Sequence, residues 1–362
     1  MKGQGAFKLN EVTGYFDVLW ALVVGAVGSL VCCLALLLAS TRFHGMRPQA
    51  HAGPQQIHEK ETIRVGGAAV VVGVLLLFVF MWPGSQHFAV TLLCIAPIFL
   101  IGVSEDVTNS VSALARLIIS IASATSLVIF DETVISLTGF VAFDLLLTMP
   151  ALAAILSIVS ITTMCHAINI IDGLNGLASG TCIIILSSIA ILAGMSGDSD
   201  IKLVALVVLA PTLGFFILNF PRGLIFLGDG GAYFLGMIVA VVAINLPTRN
   251  PEISSFASLL IVSYPIYETM RSYIRRFRKR GQALMQPDNL HLHSQFFRFL
   301  NDRSSLPIYV KNSVASFIVM GLPAFGCTIA VLFYGEVEIL VFGLFFQILA
   351  YELLMHLVEK RI

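Results

Sequence analysis

The apolar residues of this chain fall into long unbroken runs. At roughly 17–25 residues each, they match the length a helix needs to cross a bilayer. Eleven such runs lie near 17–40, 66–83, 87–104, 114–130, 149–171, 180–195, 201–219, 231–247, 255–271, 310–334 and 337–358. None alternates strictly between apolar and polar residues, as a barrel strand would. A backbone in lipid must satisfy its own hydrogen bonds, so each run predicts a helix. The pattern predicts an all-α polytopic membrane bundle of about 10–11 transmembrane helices, forming one integral membrane unit over 1–362. The stretch 133–148 is apolar but short and contains Asp144, which suits an interfacial or re-entrant piece.

Composition sharpens this reading. Of 362 residues, 57% are hydrophobic and 12% charged, and the mean hydropathy is +0.93. Soluble domains carry about 25% charged residues, so a water-soluble fold is excluded. The formal net charge of zero leaves no basic field for nucleic acid. The six cysteines lie in apolar runs without a C-x-x-C pair, which argues against a zinc or disulfide framework. The first run follows no basic segment and is longer than a signal core, so it reads as a true first helix.

Charge also orients the bundle. With the N-terminus outside, 17 of the 21 Lys and Arg residues fall in the loops after segments one, three, five, seven and nine or in the C-terminal tail. This positive-inside asymmetry predicts N-terminus out and C-terminus in. The same inner loops collect the acidic, Asn, His and Gly-rich clusters: HEKETIRVGG (58–67), SEDVTNS (104–110), NIIDGLNGLASG (169–180), FLGDGG (226–231) and PDNLHLHS (287–294).

Each cluster has a plain reading beside a chemical one. Glu105 and Asp106 could be a solvated acidic turn balanced by Arg116, or a metal or general-base site. Asn169, Asp172 and Asn175 are spaced by three, which puts them on one side of a helix end. Capping by Asn175-Gly176 explains one of them; together they could coordinate Mg²⁺ and hydrogen-bond a base edge. Gly228-Asp229-Gly230-Gly231 opens a helix, either as an N-cap or as a phosphate cradle with an Asp for the metal. His291 and His293 follow an Arg/Lys run suited to anionic membrane lipids, and two imidazoles near guanidiniums suit a phosphate-rich ligand. The set describes a site for a diphosphate and its metal at the membrane surface.

These residues resemble the polyprenyl-phosphate N-acetylhexosamine-1-phosphate transferases, over about residues 42–300. HEKETIRVGG is similar to that family's H-x-K-x-T-P-R-x-G-G, and VSEDVTNSVSALARL to its acidic-pair motif. HAINIIDGLNGLASG resembles N-x-x-N-x-x-D-G-x-[DN]-G-L. NFPRGLIFLGDGGAYFLG resembles N-x-x-P-x-x-I-F-x-G-D-x-G-S-x-F-L-G, and DNLHLHS resembles D-R-x-H-L-H-H. Five motifs in one order are specific. Departures are Glu105 for Asp, Asn109 for a third Asp, Gly231 for Ser, Ser294 for His, Glu268 for Asp and Ile63 for Pro.

The resemblance implies a bacterial cytoplasmic (inner) membrane enzyme of cell-surface polysaccharide synthesis. Undecaprenyl phosphate would attack the β-phosphorus of a UDP-N-acetylhexosamine, releasing UMP, with Mg²⁺ required and Mn²⁺ an open substitute. By the same resemblance Asp229 and Asn169 would hold the metal, and Lys60 and Asn175 would contact uracil or ribose. Asp172 would shape the nucleotide pocket, and Glu105 and Asp106 would face the prenyl phosphate. His291, His293, Arg64, Gly228 and Gly230 would serve the diphosphate or sugar. A homodimer stays open. A transporter would place ionisable residues at the bilayer midplane, whereas these helix centres are almost uncharged.

Overall fold

The computed structural model describes residues 4–42, 62–81, 86–278 and 290–359. Thirteen helices and no strands occur among them. They are α1 (Gln4–Arg42), α2 (Gly66–Met81), α3 (Gln86–Thr108), α4 (Ala113–Phe130), α5 (Val141–Leu147), α6 (Pro150–Ile171), α7 (Leu177–Met195), α8 (Ser199–Asn219), α9 (Gly228–Arg249), α10 (Ser255–Arg278), α11 (Leu292–Asn301), α12 (Ile308–Leu332) and α13 (Val337–Glu359). All eleven apolar runs became helices, and nine are long and apolar enough to cross a membrane. Of the other two, α2 is short at 16 residues and α10 carries a charged second half. The chain is an all-α, multi-pass membrane bundle. Residues 133–148 form an irregular stretch followed by the short α5, which buries none of its residues.

The helix starts follow local chemistry. Ser112 caps α4 by accepting from the Ala115 N–H at 3.2 Å, Asp198 caps α8 by accepting from Ile201 at 3.1 Å, and Pro150 occupies the first turn of α6.

Helix α9 is the hub. In its apolar window 89% of residues are buried, against 17% for α1 and 22% for α13. It packs on α2, α3, α6, α7, α8 and α10. Small residues allow this, because helix association in lipid rests on close packing rather than on a hydrophobic drive. A side chain at Gly231 would collide with the Gly67 backbone of α2. One at Gly102 of α3 would strike the Gly230 backbone, and one at Gly236 would strike Cys165 of α6. The first turn of α9 is thereby pinned between α2 and α3, and that turn carries Asp229.

Candidate active site

The segment 62–65 runs beside the residues that precede α9. Phe226 N donates to Ile63 O at 3.0 Å, Gly66 N to Phe226 O at 2.9 Å and Gly67 N to Leu227 O at 2.8 Å. Gly228 then turns with φ +78°, where a side chain would meet the Arg64 carbonyl. This pairing carries the Arg64 side chain to Asp229, at 3.5 Å. Arg116 of α4 reaches the other Asp229 oxygen, Asn169 Nδ2 donates at 3.0 Å and Tyr233 at 3.5 Å. Asp229 is buried, whereas the Arg64 side chain is 46% exposed, so the recess opens at Arg64.

The acidic pair divides. Asp106 is buried and accepts from the N–H groups of Asp229 at 2.8 Å and Gly230 at 3.0 Å. It therefore caps α9 from a neighbouring helix, where the dipole and free N–H groups favour an anion. Two amides expected to cradle a phosphate are thus taken by a carboxylate. Gly230 serves helix packing, because its face meets α3 rather than open space. Glu105 points elsewhere. Its Oε2 accepts from Val111 N at 2.7 Å and braces the α3–α4 turn.

The three-residue spacing of Asn169, Asp172 and Asn175 does not give one helical side. Helix α6 stops at Ile171 and Asp172 is its C-cap. Asp172 lies beside Gly228, Arg64 and Asp229. Burial pushes it up to about 7, against the lowering effects of Arg64 and the Gly228 N–H, and Asp229 adds to the rise. Asn175 is 1% exposed; its N–H groups are spent on structure, while its Oδ1 has no hydrogen-bond partner among the described residues. Its N–H donates to Asn312 Oδ1 at 2.7 Å and its Nδ2 to the Pro221 carbonyl at 2.9 Å. With Asn219, which accepts from Gly176 N and donates to Ile225 O, it ties the 172–176 turn to 219–225 and α12. Asn175, expected at uracil or ribose, thus braces this turn through its N–H groups. The other expected nucleotide contact, Lys60, lies outside the described residues.

The two histidines are not an open cationic surface. They stack at 5.4 Å with rings 2° apart, at 6% and 3% exposure. His291 pairs with Glu268 through Nδ1 at 2.9 Å, and Tyr351 of α13 donates to the other Glu268 oxygen at 2.8 Å. Burial pushes His293 down to about 4, and the neighbouring His291 adds to that while Glu268 opposes it. A side chain at Gly173 would collide with His293, so the imidazole is packed against the turn that carries Asp172.

Asp106, Asp172 and Asp229 together face Arg64 and Arg116, which leaves the recess net negative when all are charged. Among the described residues no three His, Cys, Asp or Glu side chains converge closely enough to form a protein-only metal cage. That suits Mg²⁺, which usually takes one or two carboxylates and completes its shell with waters and substrate phosphates. Asp229 and the Asn169 amide oxygen supply hard donors of that kind, so the residues fit the ion.

Sequence reading alone missed Arg116 and Tyr233 as partners of Asp229, and Tyr351 as a partner of Glu268. Only an Arg conspicuous in the LAR stretch after the acidic pair hinted at the first.

This geometry is that of a membrane-embedded transferase site, and comparison with known proteins agrees. The model of glycosyl transferase family 4 matches residues 88–246. The chain is similar to a probable undecaprenyl-phosphate N-acetylglucosaminyl 1-phosphate transferase of Bacillus subtilis, with 32% identity over 277 residues, 72% of this chain and 74% of the relative. A decaprenyl-phosphate N-acetylglucosaminephosphotransferase of Mycobacterium leprae is 26% identical over 344 residues, covering 86% and 84%. An undecaprenyl-phosphate alpha-N-acetylglucosaminyl 1-phosphate transferase of Escherichia coli is 23% identical over 239 residues, 65% of each chain. The chain belongs to glycosyl transferase family 4.

Proposed function

We propose that this protein transfers an N-acetylhexosamine 1-phosphate from a UDP-sugar to undecaprenyl phosphate, giving a prenyl-diphosphate-sugar and UMP and starting a cell-surface polysaccharide. The observation that carries the reading is Asp229, fixed on the first turn of the buried α9 with Asn169, Asp172, Arg64 and Arg116 around it. Such a constellation binds a diphosphate and offsets the charge that shifts between its oxygens. The names of the related enzymes point to the same reaction.

Bound Mg²⁺, or Mn²⁺ in its place, would neutralise phosphate oxygens and ease departure of UMP. Arg64, at the solvent opening, captures the incoming diphosphate. Arg116, deeper, orients Asp229 and remains as a positive charge beside the reacting oxygens. Asp106 keeps the first turn of α9 in register. Asp172, a half-buried carboxyl pushed up to about 7, is suited to take or return a proton. His293 supports its turn from behind.

The site end of the bundle faces the cytoplasm of a bacterial inner membrane in this reading, with the N-terminus out and the C-terminus in. The excess of Lys and Arg in the loops at that end supports it. A soluble nucleotide sugar then meets a lipid-borne phosphate whose tail stays among the helices. The test is incubation of the purified protein with undecaprenyl phosphate and UDP-N-acetylglucosamine, then mass spectrometry of the lipid fraction. A prenyl-diphosphate-N-acetylhexosamine is expected. Its absence with every UDP-N-acetylhexosamine would overturn the proposal.

A further inference from the structure

The helices that bring Asp106, Arg116 and Asp229 together at one end gather a second set of polar residues at the other. There α3 begins at Gln86, α4 stops before Asp131 and α9 finishes at Arg249. Between them lies a recess of about 90 Å³. Its polar lining includes Thr91, Asp131 and Asn245, its rim carries His87 and Arg249, and an apolar wall includes Phe88 and Val241.

Asp131 is 1% exposed. The hydroxyls of Thr91 and Thr133 donate to its two oxygens at 2.5 and 2.7 Å. Among the described residues no Lys, Arg or His forms an ion pair with it. Arg249 lines the same recess, but its guanidinium is spent on Asp198 at 2.8 and 3.1 Å and on Asp200 at 3.0 Å. Burial pushes the Asp131 carboxyl up, and the two hydroxyls and the nearby His87 pull against that without reversing it. A buried carboxylate with no ion-pair partner is costly. An ionisable group of this kind near the membrane marks a site whose partner is missing.

The acceptors define the partner. Asn245 gives an amide N–H to Thr133 Oγ1 at 3.4 Å, and its carbonyl oxygen has no partner among the described residues. The recess therefore offers the Asp131 carboxylate, the lone pairs of Thr91 Oγ1 and the Asn245 amide oxygen. An alkylammonium group has three N–H donors and no acceptor, which matches three such oxygens. The apolar wall accommodates a short alkyl chain, with His87 at the rim.

We infer that this recess binds a primary ammonium group on a short chain, with Asp131, Thr91 and Asn245 as its acceptors. The same chemistry is offered by the ethanolamine headgroup of a lipid in the adjacent leaflet and by a free small amine. The site lies a helix length from Asp229 and does not rest on the proposed transfer reaction.

The test is thermal unfolding of the full-length protein in detergent, titrated with ethanolamine, choline or sodium chloride at equal ionic strength. Ethanolamine raises the midpoint saturably, whereas choline, which lacks N–H donors, and sodium do not. Asp131→Asn weakens the apparent ethanolamine affinity about 10- to 100-fold, the worth of a charge-assisted hydrogen bond. Thr91→Val keeps the carboxylate and weakens it less, so a misfolded Asp131 variant does not end the test. Equal shifts with choline or sodium, no shift with ethanolamine, or full ethanolamine shifts in both variants would overturn the inference. Nanodiscs of phosphatidylethanolamine against phosphatidylcholine separate the sources. A Thr91- and Asp131-dependent gain with the former identifies the lipid headgroup, and a gain with free ethanolamine alone identifies a soluble amine.

Discussion

Asp106→Asn distinguishes a carboxylate that builds the site from one that reacts in it. Asp106 is 5% exposed and accepts two backbone N–H groups from the first turn of α9, at 2.8 and 3.0 Å. A hydrogen bond to a charged group contributes about 1.5–3 kcal/mol, and an anion at a helix N-terminus adds about 1 kcal/mol. Asparagine keeps one acceptor oxygen and turns an NH₂ toward the second N–H, so one bond is lost and the other weakened. Relief of repulsion with Asp229 offsets part of this, leaving a net loss of about 2–3 kcal/mol. At about 1–2 °C per kcal/mol for a chain of this size, the unfolding midpoint falls by roughly 2–6 °C. Turnover falls with it, because Asp229 rides on the turn that Asp106 fixes. The assay pairs thermal unfolding in detergent with UMP release by the same preparation. An unchanged midpoint with turnover down by about 10²–10⁴, the range for loss of a general base, would show that Asp106 acts on the substrate instead.

Three other substitutions test neighbouring parts of the account. Gly67→Ala puts a methyl into the Gly231 backbone; it should destabilise by about 1–3 kcal/mol as an overpacked contact, and a wild-type midpoint would contradict the helix packing. Tyr351→Phe removes the 2.8 Å hydrogen bond to buried Glu268 and should cost about 1–3 kcal/mol, read by the same unfolding assay; no loss would remove Tyr351 from the His291 support. His293 is held at about 4 by burial, below the ordinary histidine value near 6.5. The unfolded chain therefore binds the proton more readily, so this contribution is full above about pH 6.5 and is lost as pH falls toward 4. The stability-versus-pH slope across that window should flatten in His293→Gln, and identical slopes would refute the assignment.

Much of the fold could be read from the chain because lipid imposes one rule on every span. Each apolar run became a helix, and the two that miss the criteria of length and charge, α2 and α10, are still helical. The motif residues were legible as a set, since GDGG, IID and HLH each stand out against an apolar background. Their division of labour was not. The spacing of Asn169, Asp172 and Asn175 reads as one helical side only if the helix continues, and α6 ends at Ile171. Arg116 meets Asp229 across 113 positions and Tyr351 meets Glu268 across 83, distances at which local periodicity carries no information. The glycines of α9 looked like a ligand cradle, but two of them serve as contact points for Gly67 and Gly102.

The central claim is that Asp229 organises a metal-assisted phosphoryl transfer between a UDP-sugar and a prenyl phosphate. UMP release by the purified protein, with Mg²⁺ and both substrates, tests it most directly. The account predicts UMP only when undecaprenyl phosphate, a UDP-N-acetylhexosamine and Mg²⁺ are all present. It also predicts that Asp229→Asn abolishes UMP release while leaving the protein folded. UMP formed without the prenyl acceptor, or near-normal turnover by folded Asp229→Asn, would contradict it.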